Sequence, residues 1–278
     1  MNRLLRTVQP HDNPEPEDRL AGLGQSFDLE PVDLAVLLVA LAPDADARFE
    51  QLYAYLHDDV SRRRPTIGLC LELCGVPVVS HEGRSRFRPD APLTRHRLVT
   101  VEDPTAPYPS RVLRVPDRVV DHLLGSDIPD QVVAPLLLPP LAVPSPRAGM
   151  VEAALSAGVR LFYVRGPRGA TDHAEAAGAL VEVGLPCLTV DLSRVDPHAD
   201  AQEVAAAVAR EAGLRTTGLV AGPIDDLVDR DRRAVEALAE APGPTLLLGA
   251  RAWEPAWTPA VPVILDVGAV EPSEAEHV

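Results

Sequence analysis

The sequence predicts an α/β protein whose second half is a parallel sheet with helices on both faces. Five short apolar runs in that half have the length and composition of buried strands, at 161–165, 186–191, 217–221, 245–249 and 261–266. Segments with helical spacing separate them, among them 199–212 and 229–240. Strands that alternate with helices in this way pair in parallel and are covered on both faces. We therefore expect an αβα layered domain over residues 147–278.

The first half of the chain predicts a smaller domain over residues 20–128. Pro31 stands at the first position of a helix that runs through Leu41, a second helix is expected at 45–57, and Thr66 caps a third that ends near Cys74. Strand candidates follow at 95–101 and 111–115. These strand candidates belong to a hairpin-like, basic segment with the arginines Arg84, Arg86, Arg88, Arg95 and Arg97. Three helices followed by a basic hairpin describe a winged helix.

Winged helices commonly place the third helix in a DNA groove and the hairpin on the DNA backbone. The predicted third helix, 66–74, offers almost no side chains that read bases. We therefore expect this domain to contact a protein partner, with the five arginines of the hairpin-like segment as contact residues. DNA binding through the same arginines is the alternative.

The turn after the first strand of the second half has the layout of a nucleotide-binding P-loop. Such a loop reads G-x-x-x-x-G-K-[ST] and joins a strand to a helix. With Gly166 as the first glycine, Thr171 takes the place of the second, Asp172 that of the lysine and His173 that of the magnesium-binding hydroxyl. The candidate nucleotide site consists of Gly166, Arg168, Gly169, Thr171, Asp172 and His173.

Asp172 opposes the binding of phosphate at this turn. Two like charges about 5 Å apart repel by about 3 kcal/mol at an effective dielectric of 20, so tight triphosphate binding is not expected. Asp172 and Glu175 also fit a capping box for the helix that follows, which is the interpretation that we favour. We expect no cofactor. The alternative is a nucleotide sensor in which Arg165 or Arg168 replaces the lysine and ATP binds without hydrolysis.

The ends of two further strands lack the residues of an ATPase. Such an enzyme needs an acidic residue that positions magnesium and the attacking water. The third strand of this half ends at Gly222, and Asp225 and Asp226 lie beyond it. The fourth ends at Gly249, where a polar water-sensing side chain is expected. The sequence therefore predicts no catalytic residue and no enzymatic activity.

The order of elements resembles the first, degenerate ATPase module of large bacterial AAA+ ATPases that carry an N-terminal winged-helix domain and are often encoded beside contractile injection systems. Four sequence runs carry the resemblance, at 56–66, 136–141, 166–169 and 249–255. The resemblance implies a winged-helix domain followed by an AAA-type αβα domain. In complete relatives a helical lid and a second, intact module follow, and we expect the αβα domain of this chain to lack that lid. ATP hydrolysis by the family therefore does not transfer to this chain.

Composition restricts the remaining possibilities. The chain of 278 residues has a formal net charge of −15, which disfavours nonspecific binding to nucleic acid or anionic lipid. It contains no lysine, so lysine-dependent chemistry, such as a phosphate-binding lysine, is excluded. A proline-rich stretch at 129–146 predicts an interdomain connector that is too short to cross a bilayer. Residues 1–19 predict a flexible tail without a signal sequence. We expect a cytoplasmic protein without a metal site that binds a protein partner or further copies of itself.

Overall fold

The computed structural model describes residues 16–166 and 173–266, which divide into two units between Ile128 and Pro129. The first unit contains seven described helices and one short hairpin. Its helices are α1 (Pro16–Ser26), α2 (Pro31–Ala45), α3 (Arg48–Leu56), α4 (Ile67–Leu73), α5 (His81–Ser85), α6 (Pro92–Arg95) and α7 (Asp117–Leu123). Its strands are β1 (Thr100–Val101) and β2 (Leu113–Arg114), which pair antiparallel.

Local capping explains where the principal helices of the first unit begin. Pro31 starts α2, preceded by a reciprocal capping box between Glu30 and Asp33. Thr66 caps α4, because its Oγ1 accepts a hydrogen bond from the Leu69 amide at 3.3 Å. Both predicted helix starts are confirmed.

Residues 16–19 belong to the first unit, although the sequence predicts them as part of a tail. They form the first turn of α1, and the guanidinium of Arg19 is buried against Asp127 at 2.8 Å. An apolar face on α1, with Leu23 and then Phe27 just after its end, packs into the core and holds the helix in place. Residues 1–15 lie outside the described part of the chain.

The basic segment at 81–97 is not a hairpin. Ser80 caps α5 through its Oγ, which accepts from the Gly83 amide at 2.9 Å, and Pro92 starts α6. The strands are confined to two residues each, and β1 begins five residues later than predicted. Side-chain caps and a proline at the first helical position favour short helices here over an extended ladder.

The second unit is built on a five-stranded parallel sheet, as predicted. Its strands are β3 (Leu161–Arg165), β4 (Cys187–Asp191), β5 (Gly218–Gly222), β6 (Thr245–Gly249) and β7 (Val263–Asp266), in the sheet order β4-β5-β6-β3-β7. Its helices are α8 (Ala148–Ser156), α9 (His173–Glu182), α10 (Ala201–Leu214), α11 (Asp225–Arg230) and α12 (Arg232–Ala239).

Both faces of this sheet are buried. Tyr163 and Leu247 point into a core shared with α10 and α12, whereas Phe162 and Leu246 point into a core shared with α9. Alternate residues of one strand thus serve opposite cores, which explains why the strands read as continuous apolar runs. The predicted helix at 229–240 is two helices, since Asp231 ends α11 and caps α12 through the Arg233 amide.

The proline-rich segment (129–146) packs onto the second unit over much of its length. The Leu138 amide donates to Thr189 O on β4 at 2.9 Å, and the Val143 amide donates to Ala174 O on α9 at 3.0 Å. Val143 can approach because α9 carries Gly178 there, and a Cβ on Gly178 would overlap the Val143 carbonyl oxygen. The predicted interdomain connector at 129–146 is thus a segment that packs against the second unit. Its backbone groups need partners, and β4 and α9 supply them.

Among residues 16–166 and 173–266, no helix combines the length and the apolar character that crossing a membrane requires.

Candidate functional site

The candidate site lies at the carboxyl edge of the parallel sheet, where the P-loop-like turn begins. β3 lies between β6 and β7, whereas the next strand along the chain, β4, is at the far edge. The connection after β3 therefore runs toward the β4 edge of the sheet, whereas the connection after β6 runs toward the β7 edge. In open parallel sheets such a divergence creates the crevice in which ligands bind.

Gly166 and His173 mark the two ends of the turn in the structure. The Gly166 amide donates to Gly249 O at 3.0 Å, which extends the pairing of β3 with β6 by one residue. The His173 ring Nε2 lies 3.0 Å from Gly222 O and, as the donor, ties the start of α9 to the end of β5. The other residues of the predicted nucleotide site lie outside the described residues: Arg168, Gly169, Thr171 and Asp172.

Gly222 ends β5, at the position where an ATPase of this layout carries its acidic residue. A Cβ at Gly222 would lie 2.5 Å from the Leu248 Cβ and 2.9 Å from the Leu248 carbonyl oxygen. Contacts this short are not tolerated between a Cβ and a neighbouring strand. The packing of β5 against β6 therefore leaves no room for an acidic side chain at this strand end.

Asp225, three residues after β5, has its carboxylate engaged elsewhere. It is buried, and its oxygens accept hydrogen bonds from the Ala250 amide at 3.0 Å and the Arg251 amide at 3.2 Å. The Arg251 guanidinium lies 3.8 Å away and pairs more closely with Asp229, at 2.5 Å. Asp225 thus fixes the backbone after β6 and offers no free oxygen pair to a metal. The sequence alone does not signal this contact, because Asp225 and Ala250 lie 25 positions apart along the chain.

Gly249 ends β6, where the polar water-sensing side chain is expected. A Cβ there would lie 3.1 Å from two ring carbons of Tyr163 and closer still to its hydroxyl oxygen. That hydroxyl is held in place, because it donates to Arg251 O at 2.8 Å. Burial, and then the negative charge of Asp225, raise the pKa of Tyr163. The phenol therefore stays protonated and keeps this hydrogen bond across the neutral pH range.

An aromatic cluster closes the same end of the sheet. Trp253 lies 5.2 Å and Trp257 6.3 Å from Tyr163 between ring centroids, and the two indoles are 5.1 Å apart in an edge-on arrangement. Trp257 is almost fully buried. These two residues are the chain's only tryptophans. Their fluorescence therefore reports on the strand that leads into Gly166.

Two further charged side chains at this edge, Asp191 and Arg165, have partners of opposite sign. Asp191, at the end of β4, accepts from the Ser193 hydroxyl at 2.6 Å and from Arg194 at 3.0 Å. Burial raises its pKa, but these hydrogen bonds and the nearby positive groups outweigh burial and lower it. Arg165 pairs with Asp266 at 2.6 Å. Within the described residues no cluster of three or more metal-ligating side chains occurs here or elsewhere.

In the first unit, the structure gives the five predicted contact arginines different environments. Arg86 is half-buried and pairs with Glu30 at 2.7 Å and Asp33 at 3.3 Å. Arg84 is exposed and stacks over the Tyr108 ring, with its Cζ 4.5 Å from the centroid. The other three comprise exposed Arg88, which pairs with Asp90, exposed Arg95 on α6, and half-buried Arg97. Arg86 holds α2 to the segment after α5 and is not available as a contact residue.

The third predicted helix, which winged helices commonly place in a DNA groove, is α4, and most of its residues are covered by the protein itself. Ile67 to Leu71 are all buried, and a Cβ on Gly68 would lie 3.0 Å from Pro109 O in the 3₁₀ turn Tyr108–Ser110. Thr66 forms a β-bridge with Val112, so α4 directly follows a strand residue of the small sheet. The helices that immediately precede the hairpin are α5 and α6. Residues 67–71 are therefore not accessible to a DNA groove.

A comparison with protein families agrees with this description of the first unit. Residues 5–137 match the family described as "Winged helix domain, variant". Neither the curated proteins nor the solved structures gave a match to the chain. The winged-helix prediction for the first half is confirmed, and the matched range includes the start of the proline-rich segment.

Proposed function

We propose that this chain, which joins a winged-helix domain to a parallel α/β unit, is a noncatalytic module that acts by protein association. The second unit is a degenerate AAA-type domain with a P-loop-like turn. One observation carries the noncatalytic part: the two strand ends that need an acidic and a polar side chain carry glycines, Gly222 and Gly249, whose Cβ positions are already occupied by neighbours. Hydrolysis needs both side chains beside the phosphate.

The sheet order supports the AAA-type interpretation of the second unit. In an ATPase of this layout, the turn after the first strand must meet the ends of the third and fourth strands. Here β6 adjoins β3 and β5 adjoins β6, so the three strand ends are consecutive along the carboxyl edge. The sheet keeps the order of strand ends that ATP hydrolysis requires, although the acidic and polar side chains are absent from those ends.

The first unit supports association with protein. The surface of α4 that a nucleic acid would read is buried, and Arg86 is neutralised by two carboxylates. The formal net charge of −15 also repels the phosphates of nucleic acid. In a cytoplasmic AAA+ assembly of the kind encoded beside contractile injection systems, such a module positions an active ATPase half or recruits its client.

Titration calorimetry of the full chain with ATP and Mg²⁺, together with a phosphate-release assay, tests the proposal. We expect neither micromolar binding nor turnover. Fluorescence of Trp253 and Trp257 provides a second readout, because both contact Tyr163, three residues before Gly166. Turnover would contradict the proposal. ATP binding without turnover that is lost in Arg168→Ala would instead establish the nucleotide sensor.

A further inference from the structure

We propose that a groove on α3 of the winged-helix domain binds a basic, amphipathic peptide segment of a partner protein. This inference rests on the proposed function in protein association and names the surface that performs it. The groove has a volume of about 550 Å³ and lies between α3 and the turn that follows it. A volume of this size accommodates a few side chains of a bound peptide.

Apolar side chains that the domain leaves in solvent line the groove. Ala54 and Tyr55 on α3 form one wall, and Val60 in the following turn forms the other. Tyr55 is 81% exposed and Val60 86% exposed. On the outer surface of the same helix, Leu52 and Leu56 are also exposed. Tyrosine and neighbouring aliphatic side chains on a concave surface are typical of the anchor sites of protein interfaces.

The turn that forms the second wall is held rigidly against α3. The amides of Asp58 and Asp59 donate to Tyr55 O and Ala54 O, both at 3.0 Å. The His57 ring hydrogen-bonds to Arg64 O at 3.2 Å, and Arg64 pairs with Asp44 at 2.7 Å. Because these bonds fix the shape of the groove before binding, a peptide loses little affinity to ordering of the protein.

The charge of the groove determines which partner it fits. Glu50, Asp58 and Asp59 line it together with a single cation, Arg63. Arg63 lies 3.5 Å from Glu50, and Asp59 accepts from the Ser61 hydroxyl at 2.6 Å and pairs with Arg62 at 3.3 Å. The exposed carboxylate of Asp58 makes no hydrogen bond or ion pair with any residue that the structure describes. The remaining negative charge favours arginine or lysine beside the apolar anchor.

The same charge argues against the other occupants of such a surface. A second copy of this chain brings a further formal net charge of −15, and nucleic acid brings phosphates, so neither matches the negative charge of Asp58. A short basic segment with one or two apolar side chains matches both the apolar walls of the groove and the carboxylate of Asp58. The occupant is therefore a cationic peptide segment of another protein.

Selection of random twelve-residue peptides displayed on phage, with the full chain as the target, tests the proposal. We expect the selected peptides to combine arginine or lysine with apolar residues. Each synthesised peptide should bind Tyr55→Ala and Val60→Ser at least about tenfold more weakly than the unchanged chain, as for anchor residues of an interface. Asp58→Asn should weaken binding by about threefold, as for one exposed ion pair.

Matched variants separate the groove from general surface effects. Val79→Ser removes an equally exposed valine of the same domain, and Asp103→Asn removes an exposed carboxylate at a residue with the same left-handed backbone, φ 56° against 50° at Asp58. Both should bind the peptides as the unchanged chain does. Asparagine tolerates this conformation, so Asp58→Asn keeps the turn intact.

Three results would overturn the groove proposal: no selected peptide, selected peptides without basic residues, or equal binding to Tyr55→Ala and Val60→Ser. Peptides that bind elsewhere on the chain would refute the groove and leave protein association standing. ATP turnover in the separate assay would refute the noncatalytic proposal whatever the peptides do. Circular dichroism of each variant confirms that the exposed substitutions leave the fold unchanged.

Discussion

At the level of single residues, crowded glycines occupy the two strand ends where an ATPase of this layout carries an acidic and a polar side chain. Gly222 faces the Leu248 side chain and backbone, and Gly249 faces the ring of Tyr163. Tyr163 is buried and its hydroxyl is committed to Arg251 O. A side chain at either glycine therefore requires movement of a packed neighbour. A single substitution at one strand end does not restore an acidic or polar group without disturbing the core.

Gly249→Ala is expected to lower the free energy of unfolding of the second unit by about 1–3 kcal/mol, because the new methyl group displaces the Tyr163 ring from a packed position. Urea unfolding followed by tryptophan fluorescence measures this change, since both tryptophans contact Tyr163. Gly149→Ala in α8 is the control, because nothing lies within 4 Å of its Cβ position. It should leave stability unchanged or raise it by up to about 1 kcal/mol. Equal stability of both variants would contradict the packing argument.

Asp225 shows which residue-level properties a linear sequence does not reveal. Its position after β5 is visible in the sequence, and so is its acidic character. Its hydrogen bonds to the Ala250 and Arg251 amides depend on the adjacency of β5 and β6 in the sheet. That adjacency converts a surface aspartate into a buried carboxylate that organises the neighbouring loop.

At the scale of elements, the proline-rich segment (129–146) packs against β4 and α9 of the second unit. Its prolines cannot donate backbone hydrogen bonds, and this favours an extended path over a helix. The intervening amides nevertheless find partners on β4 and α9, and the Ser145 amide donates to Glu182 Oε1 at 2.8 Å. Asp130, near the start of the segment, forms a largely buried ion pair with Arg210 on α10 at 2.8 Å.

Gly178→Ala is expected to detach the middle of this segment from α9. A methyl group at residue 178 would lie 2.9 Å from the Val143 carbonyl carbon and overlap its oxygen. Hydrogen exchange of the Val143 amide, which donates to Ala174 O, should therefore accelerate, while amides in the centre of α10 keep their protection. We expect a loss of about 1–3 kcal/mol in unfolding free energy. Unchanged exchange at Val143 would show that the segment does not depend on this close approach, and Gly149→Ala again serves as the control.

The helices of the winged-helix domain show the limit of reading elements one at a time. The caps at Pro31 and Thr66 are local signals and place the starts of α2 and α4 correctly. Local signals for α5 and α6 are also present, at Ser80 and Pro92, but the arginines between them suggest a hairpin. The position of α4 beside the small sheet depends on the pairing of Thr66 with Val112, across 46 residues of chain.

At the scale of the whole molecule, net charge and the placement of arginines bear on nucleic acid binding. Arg88 and Arg95 are exposed beside the hairpin, so the winged-helix domain carries a local positive surface. The chain as a whole has a formal net charge of −15, and Arg88 already pairs with Asp90 at 3.1 Å. Proteins that bind DNA nonspecifically neutralise several phosphates with basic side chains. In the part of the chain that the structure describes, many arginines pair with carboxylates, among them Arg86, Arg88 and Arg194.

We expect the full chain at about 10 µM not to retard a 20-base-pair duplex in about 50 mM salt, a condition that favours nonspecific binding. Electrophoretic mobility or fluorescence anisotropy measures this directly. Salt-sensitive binding that is weakened by Arg88→Ala, but not by Arg194→Ala in the second unit, would contradict the expectation and assign DNA binding to the winged-helix domain. Both arginines are exposed and each pairs with a nearby aspartate, so the two variants are matched.

The sequence by itself determined the features that depend on neighbours in the chain. These are the parallel α/β architecture of the second half, the winged-helix character of the first half, the starts of α2 and α4, and the substitution of the phosphate-binding lysine by aspartate. Alternation of apolar runs with helices, capping residues and motif spacing are all local, and so they can be read directly.

Only the tertiary structure decided the features that depend on distant residues. These are the burial of α4, the hydrogen bonds of Asp225, the ion pairs of Arg86, the contact of the proline-rich segment with α9, and the groove beside Tyr55. Each of these depends on which atoms lie opposite one another once the chain is folded. A pattern along the chain specifies which face of an element is apolar, but the partner of that face is set by packing between elements.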